Sequence, residues 1–299
     1  MKPGIALVGP GRVGCAVSKR LHEADYPIIS IISRSMERAT EACSYIGCST
    51  TLASVQLADL ATAQIILLAV PDDQIQRVAK KIQATTHFSR PATLVHFSGF
   101  HPAEIMYHQS SPLSLLSLHP LLPFADRQKA YADLQRCPCA LESTDPQTLE
   151  LGEELVDAIG GQPFTLEADK KPLYHSAACL ASNYLVTLLA SARNLLINCG
   201  IESEQAIQLL LPLAQASLEN VEELGPEQGL TGPIVRGDIG TVTEHIKTLQ
   251  DNAPELLNLY LQMGVVTVTN SQRSGRLNPE SAAALQALFS AKIKECNAI

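Results

Sequence analysis

Lys171, His175, Cys179 and Asn183 recur at intervals of four within one apolar stretch. In a helix that interval stacks side chains into a single stripe. The stripe would hold an ammonium, an imidazole, a thiol and an amide. An imidazole, with an ordinary pKa of about 6.5, gives or takes a proton near neutrality, and a carboxamide can orient a carbonyl. Such a set suits proton transfer beside a carbonyl or imine that is being reduced or formed. The competing reading makes His175 a hydrogen-bonded core residue and Asn183 a helix–helix contact. His119 closes the apolar run of "LSLHP", where a strand end could present it to a ligand or keep it at the sheet edge. His96 lies inside a run and reads as core, while His101 and His108 have no carboxylate cluster near them in sequence. The eight cysteines form no C-x-x-C pair, so no metal site is expected. No nucleophile elbow is present.

A second chemistry sits at the start of the chain, in "GIALVGPGRVGCAVSKRL". An apolar run leads into Gly9, Pro10, Gly11, Arg12, Val13 and Gly14, and an amphipathic stretch follows. Gly9 suits the tight turn, Gly11 admits a pyrophosphate to the backbone, and Gly14 lets the helix pack on the strand. The helix N-terminus then aims free N–H groups at phosphate. The next apolar run ends in Ser33-Arg34-Ser35, where an NAD site would place a carboxylate for the ribose hydroxyl. A guanidinium between two hydroxyls suits a 2′-phosphate, so the expected cofactor is NADP(H) rather than NAD. Alternatively, Arg34 is a solvated residue at a helix start.

These groups need elements to position them. Apolar runs at 5–9, 28–33, 65–70, 93–97, 114–119, 137–142 and 163–167 alternate with helical-period segments at 12–24, 36–46, 72–84 and 146–159. That alternation predicts a mostly parallel α/β sheet of Rossmann type. Beyond it the pattern turns all-helical. One helix is predicted from Pro172 to a stop at Gly200, about eight turns long, followed by helices at 203–224 (bent at Pro212), 239–250, 254–270 and 279–295. The expected domains are 1–167 for the dinucleotide and 168–299 for substrate and dimerisation. In the glycine-rich "GLTGPIVRGD", Arg236 either pairs with Asp238 or joins Thr231 in meeting an anionic substrate. A formal charge of −8, without a basic stripe, excludes a nucleic-acid backbone binder. No unbroken apolar run approaches membrane-spanning length and no leader precedes the first strand, so a cytoplasmic protein with reduced thiols is expected.

"VGPGRVG", "SRS" and "ILLAVPDDQI", followed by a helical domain, resemble the 6-phosphogluconate dehydrogenase-like superfamily, which includes β-hydroxyacid dehydrogenases and pyrroline-5-carboxylate reductase. "YHSAACLASNYLVTLL" and "LTGPIVRGD" are similar to a bacterial family that joins a Rossmann-like domain to a helical domain of unknown function. The resemblance implies an NADP-dependent reductase or dehydrogenase that dimerises through its C-terminal helices. It places Val70, Pro71 and Asp72 against cofactor phosphate and ribose, Ser98 and Gly99 near the nicotinamide, and Asn183 in the active site. Asp72 could equally cap a helix. Relatives carry a lysine at the position of Cys179, a departure that puts the chemistry in question.

Together these features predict hydride transfer to or from a small, anionic carbonyl or imine compound. His175, Asn183, His119 and Ser98 are the expected catalytic residues, and no metal is involved. The alternative is a dinucleotide-binding sensor or scaffold that keeps the fold without the reaction.

Overall fold

A computed structural model describes residues 1–108 and 112–297. The chain forms two compact units, Met1–Ser182 and Asn183–Ile299.

The first unit is built on an eight-stranded sheet. Its strands are β1 (Ile5–Val8), β2 (Ile28–Ile32), β3 (Ala53–Ser54), β4 (Ile65–Leu68), β5 (Thr93–His96), β6 (Ser114–Pro120), β7 (Pro138–Glu142) and β8 (Gln162–Thr165). They lie in the order β3-β2-β1-β4-β5-β6-β7-β8. All neighbours are parallel except β6 and β7, which are antiparallel. Every expected strand is present. The short β3 was not foreseen, since two residues carry no periodicity. The central strands are buried on both faces, which is why they read as unbroken Ile, Leu and Val runs.

Alternate residues feed two cores. Ile5 and Leu7 pack with α1 (Arg12–Glu23), α2 (Met36–Ile46), α4 (Arg127–Asp133) and α5 (Pro146–Ala158) on one face. Ala6 and Val8 pack with α3 (Ile75–Thr85) on the other. Because β1, β4, β5 and β6 are parallel neighbours, the turns at Gly9, Ala69, Phe97 and the Pro120 end of β6 all open on one sheet edge. In an open α/β sheet that edge takes the ligand.

The sheet unit ends later than the expected boundary at 167. It includes α6 (Lys171–Ala181), because polar side chains of that helix bond to β6 and to Ser98 in the loop after β5. The single helix expected from 172 to 200 is likewise divided: α6 stops at Ser182 and α7 runs from Asn183 to Asn198. The stretch Ala168–Asn198 is long and apolar enough by composition to cross a membrane, contrary to the expectation from unbroken runs. Yet Lys171 near its start is fully buried against the sheet, which ties α6 to the first unit.

The second unit contains α7, α8 (Ser203–Gly229), α9 (Ile239–Asn252), α10 (Pro254–Arg273) and α11 (Pro279–Asn297). In α8 the non-helical residue is Gly225, with φ +77°, ahead of Pro226, so the break lies there and not at the expected Pro212. The side chain of Asp238 caps α9 and that of Asn278 caps α11, as their positions before a helix suggest. Val242, Ile246, Leu257, Leu261, Val268, Leu285 and Phe289 form the core of α9, α10 and α11. Along α7 and α8, Tyr184, Val186, Leu209, Leu213, Leu218 and Leu224 are exposed.

Candidate functional site

The glycine turn has the sterics its spacing implies. Gly9 adopts φ +80°, and a Cβ there would stand 2.7 Å from Val70 and 2.8 Å from the Ala69 carbonyl. At Gly14 a Cβ would lie 2.6 Å from Ala69 Cβ and 2.8 Å from Leu7, so only glycine lets α1 approach the sheet this closely. At the exposed Gly11 a Cβ would make only ordinary van der Waals contact, 3.8 Å from the Ala69 carbonyl oxygen, so the backbone is accessible above the first turn of α1. A phosphate could enter there toward backbone N–H groups.

Beside this turn lies a cavity of about 650 Å³, bounded by Gly9, Pro10, Gly11, Ser33, Val70 and Pro71 among others. Arg34, Arg38, Arg77 and Lys81 also line it, and no carboxylate does. Arg34 was expected. Arg38 extends it by one turn of α2, and Arg77 and Lys81, spaced by four on α3, come from another part of the chain. Their spacing was legible, but their convergence on Arg34 was not.

Other turn residues are engaged elsewhere. The Ser35 hydroxyl accepts from the Arg38 amide as the N-cap of α2, so it caps a helix instead of lining the cavity. Arg12 reaches the Phe124 carbonyl at 3.4 Å, and Val13 packs into the core.

The chemistry-bearing histidines meet at the β5 and β6 ends. A Cβ on Gly99 would come within 2.8 Å of both His119 Nε2 and His175 Nδ1, so the two ring edges converge on this glycine. The ring centroids are 6.2 Å apart. The His175 Nδ1 atom is buried with no hydrogen-bond partner among the described residues, while its Nε2 lies 3.7 Å from Cys179 Sγ. The His119 Nδ1 atom is 2.8 Å from the Tyr174 hydroxyl. Burial, then the charge of Lys171, then His175, pushes the His119 pKa down to about 4. His119 is therefore a neutral imidazole at ordinary pH. If the tyrosine hydroxyl donates to Nδ1, Nε2 carries the proton and faces Gly99. The exposed Phe100 lies edge-on to His175, at 6.4 Å between centroids.

The loop beneath these rings is pinned from several sides. Ser98 Oγ donates to Asp72 at 2.7 Å and accepts from the Phe100 and His101 amides. One hydroxyl can do no more. Ser98 thus holds the loop and has no proton left for a substrate, which corrects the catalytic role expected of it. Asp72 reaches across from the turn after β4 to make this bond and does not cap the following helix. The Ser98 amide donates to His96 Nδ1, so His96 Nε2 carries the proton it shares with the Pro102 carbonyl. Burial takes the His96 pKa down to about 3. The buried Glu142 carboxylate accepts from the Ala103 amide at 2.6 Å.

Lys171 completes the ring of anchors from below, donating to the Ser98 carbonyl at 3.1 Å and the Ser117 hydroxyl at 2.8 Å. Burial lowers its pKa to about 8, opposed by the charges of Glu142 and Asp72. Spacing by four had placed Lys171 on the stripe with His175 and Cys179. Tyr174, one turn after Lys171, went unnoticed because a tyrosine in an apolar helix reads as packing.

Asn183, Thr231 and Arg236 belong to the second unit, where all three are exposed. Asn183 opens α7 as a separate helix, so the four-residue stripe is interrupted after Cys179. Among the described residues Arg236 forms no ion pair with Asp238 within 4 Å; the Asp238 carboxylate bonds Thr241 instead.

Comparison with known proteins agrees with this architecture. Residues 2–120 match the Rossmann-like domain family, and residues 137–267 match the domain of unknown function DUF2520. The chain thus joins a Rossmann-like domain to a DUF2520 domain. Among solved structures it is similar to the protein TM1727 from Thermotoga maritima, with 25% identity, 90% of this chain and 98% of that chain covered, and a TM-score of 0.71. A Bacteroides fragilis protein assigned provisionally as an NADP oxidoreductase, BF3122, shares 21% identity over 88% of this chain and 96% of its own, with a TM-score of 0.72. The 1-pyrroline-5-carboxylate reductase of Streptococcus pyogenes shares 17% identity over 96% and 99%, with a TM-score of 0.60. No curated protein sequence matches the chain.

The two suppressed imidazoles predict an acid sensitivity. Between pH 6.5 and about 4 for His119, or about 3 for His96, the unfolded chain binds protons that the native site refuses. Stability must therefore fall as pH drops through 6.5. Urea denaturation across this range should show the loss, and His96→Gln should remove part of the slope. An unchanged slope in the variant would contradict the assignment.

Proposed function

We propose that this chain is an NADP(H)-dependent oxidoreductase acting on a small, anionic carbonyl or imine compound. The observation that carries the reading is a single sheet edge bearing both a cation-lined cavity at the exposed Gly11 and two imidazoles facing Gly99. The bond between Ser98 and Asp72 ties the two regions together, since Asp72 follows directly on the cavity residues Val70 and Pro71.

The residues present fit a phosphorylated dinucleotide. Gly9 and Gly11 leave the backbone accessible, and the helix N-terminus of α1 favours anions. Arg34, Arg38, Arg77 and Lys81 would hold a 2′-phosphate in a cavity with no carboxylate to repel it. When bound, a nicotinamide would supply or accept the hydride. The protein's task is then to hold a proton and orient the substrate. His119, neutral and anchored by Tyr174, would donate a hydrogen bond to the substrate's oxygen or nitrogen. His175 would exchange the proton beside it, and the Ser98–Gly99 loop would keep both rings in place.

Asn183, Thr231 and Arg236 are proposed to meet the polar and anionic parts of the substrate. The structural neighbours named as reductases support the reaction class by fold alone. Cys179, standing where β-hydroxyacid dehydrogenases carry lysine, favours a second reading in which the chain senses a dinucleotide without turning over.

NADPH oxidation screened against oxo acids and cyclic imines separates these readings. His119→Ala and His175→Ala should each lower turnover by roughly 10²–10⁴-fold, the usual range for a general acid–base group. Turnover surviving both would remove the assignment, and NADPH binding without turnover on any compound would favour the sensor. Arg34→Ala should weaken NADPH relative to NADH by about 1.5–3 kcal/mol, as for a lost charged hydrogen bond. Calorimetry reads this directly, and equal affinity of the wild type for both coenzymes would defeat NADP preference.

The exposed apolar residues of α7 and α8 are proposed to pack against a second copy of the chain in the cytoplasm. Light scattering should give twice the chain mass for the wild type. Leu213→Glu with Val186→Glu should give the monomer, and a monomeric wild type would sink this part.

A further inference from the structure

Lys171 is among the largest side chains buried completely in the protein, at 0% exposure. Its ammonium makes two hydrogen bonds, both to uncharged oxygens, and no carboxylate lies within 4 Å of it among the described residues. Placing an ammonium in the interior with no carboxylate beside it is unfavourable, and methionine would fill the same space without that cost. The two acceptors locate its action. The Ser98 carbonyl belongs to the peptide unit leading into Gly99, against which both imidazoles pack. Ser117 stands two residues before His119 on β6, and Tyr174 stands three residues after Lys171 on α6. Two polar rungs therefore dock α6 on β6: Lys171 to Ser117 and Tyr174 to His119, each 2.8 Å long.

We propose that Lys171 is a positioning residue of the reaction centre. Its ammonium fixes the Ser98–Gly99 bend beneath the His119 and His175 rings and supplies the positive charge that His119 senses. The proposal rests on the reading of those two histidines as the proton-handling pair, and it adds a residue that acts on the substrate only through them. The groups that bear on the ammonium come from every neighbouring element. They are Asp72 after β4, His96 at the end of β5, Ser117 and His119 on β6, and Glu142 on β7. Of these the carboxylates of Glu142 and Asp72 favour the charged lysine, and His96 and His119 face a cation that discourages their own protonation. This division keeps the positive charge on the buried helix side and leaves His119 uncharged.

The test is an NMR titration of protein labelled with ¹⁵N-histidine, with the His119 signals identified by their loss in His119→Asn. In Lys171→Met the His119 midpoint should rise by about one pH unit, a tenfold change in its proton affinity. An unmoved midpoint in a variant that stays folded by near-ultraviolet circular dichroism would overturn the proposal, because a lysine needed only for packing would leave the titration alone. If Lys171→Met does not fold, the wild type decides. Its His119 signals should show a second inflection near pH 8 as Lys171 loses its proton, and a flat alkaline limb would overturn the proposal. Failure of NADPH to bind or turn over would remove the proposed function while leaving this titration readable on its own.

Discussion

Taking an ammonium wholly out of water is unfavourable unless its surroundings are arranged to receive it, and much of this site is arranged around one. Lys171 enters the first unit from α6 and meets a carbonyl in the loop after β5 and a hydroxyl on β6. To bring the oxygens there, the Ser98 loop must bend back, and the bend is held by bonds to Asp72, His96 and Glu142 through the loop's own backbone and hydroxyl. Gly99 sits at the crest of that bend, where the absence of a side chain lets two imidazoles close in. The sheet unit consequently extends through α6, since a helix whose lysine and tyrosine are bonded to β6 moves with the sheet.

The other end of the same sheet edge obeys a different constraint, the steric one of backbone against backbone. Gly9 and Gly14 are closed off by Ala69, Val70 and Leu7, while Gly11 is exposed and borders the cavity. These three environments differ although the three residues are identical, and each is the consequence of where β1 ends relative to β4. Charge then sets the character of the cavity. Arg38 of α2 and Arg77 and Lys81 of α3 border it with no carboxylate among its lining residues.

Histidines that looked alike in sequence have separate physical situations. His96, mid-strand and sealed, has both ring nitrogens committed to backbone partners and serves the loop. His119 shares one nitrogen with a tyrosine and turns the other to Gly99. His175 keeps a buried nitrogen with no hydrogen-bond partner among the described residues. The reading of His96 as core followed from its place inside an apolar run. The distinction between His119 and His175 could not, because it depends on which residue of another segment each ring meets.

What residue order determined by itself was local: the strands from runs of Ile, Val and Leu, the glycine turn, the caps at Asp238 and Asn278, and the change from alternating to all-helical pattern near the middle of the chain. Each of these depends on residues within a few positions of one another, so sterics and periodicity suffice to read them. Tertiary structure alone decided that Lys171 reaches Ser98 and Ser117, that Arg77 and Lys81 join Arg34, that Ser98 is consumed by its own loop, and that the long apolar helix divides at Ser182. Those outcomes turn on desolvation and on pairings between distant segments, quantities that exist only once the chain has closed around them.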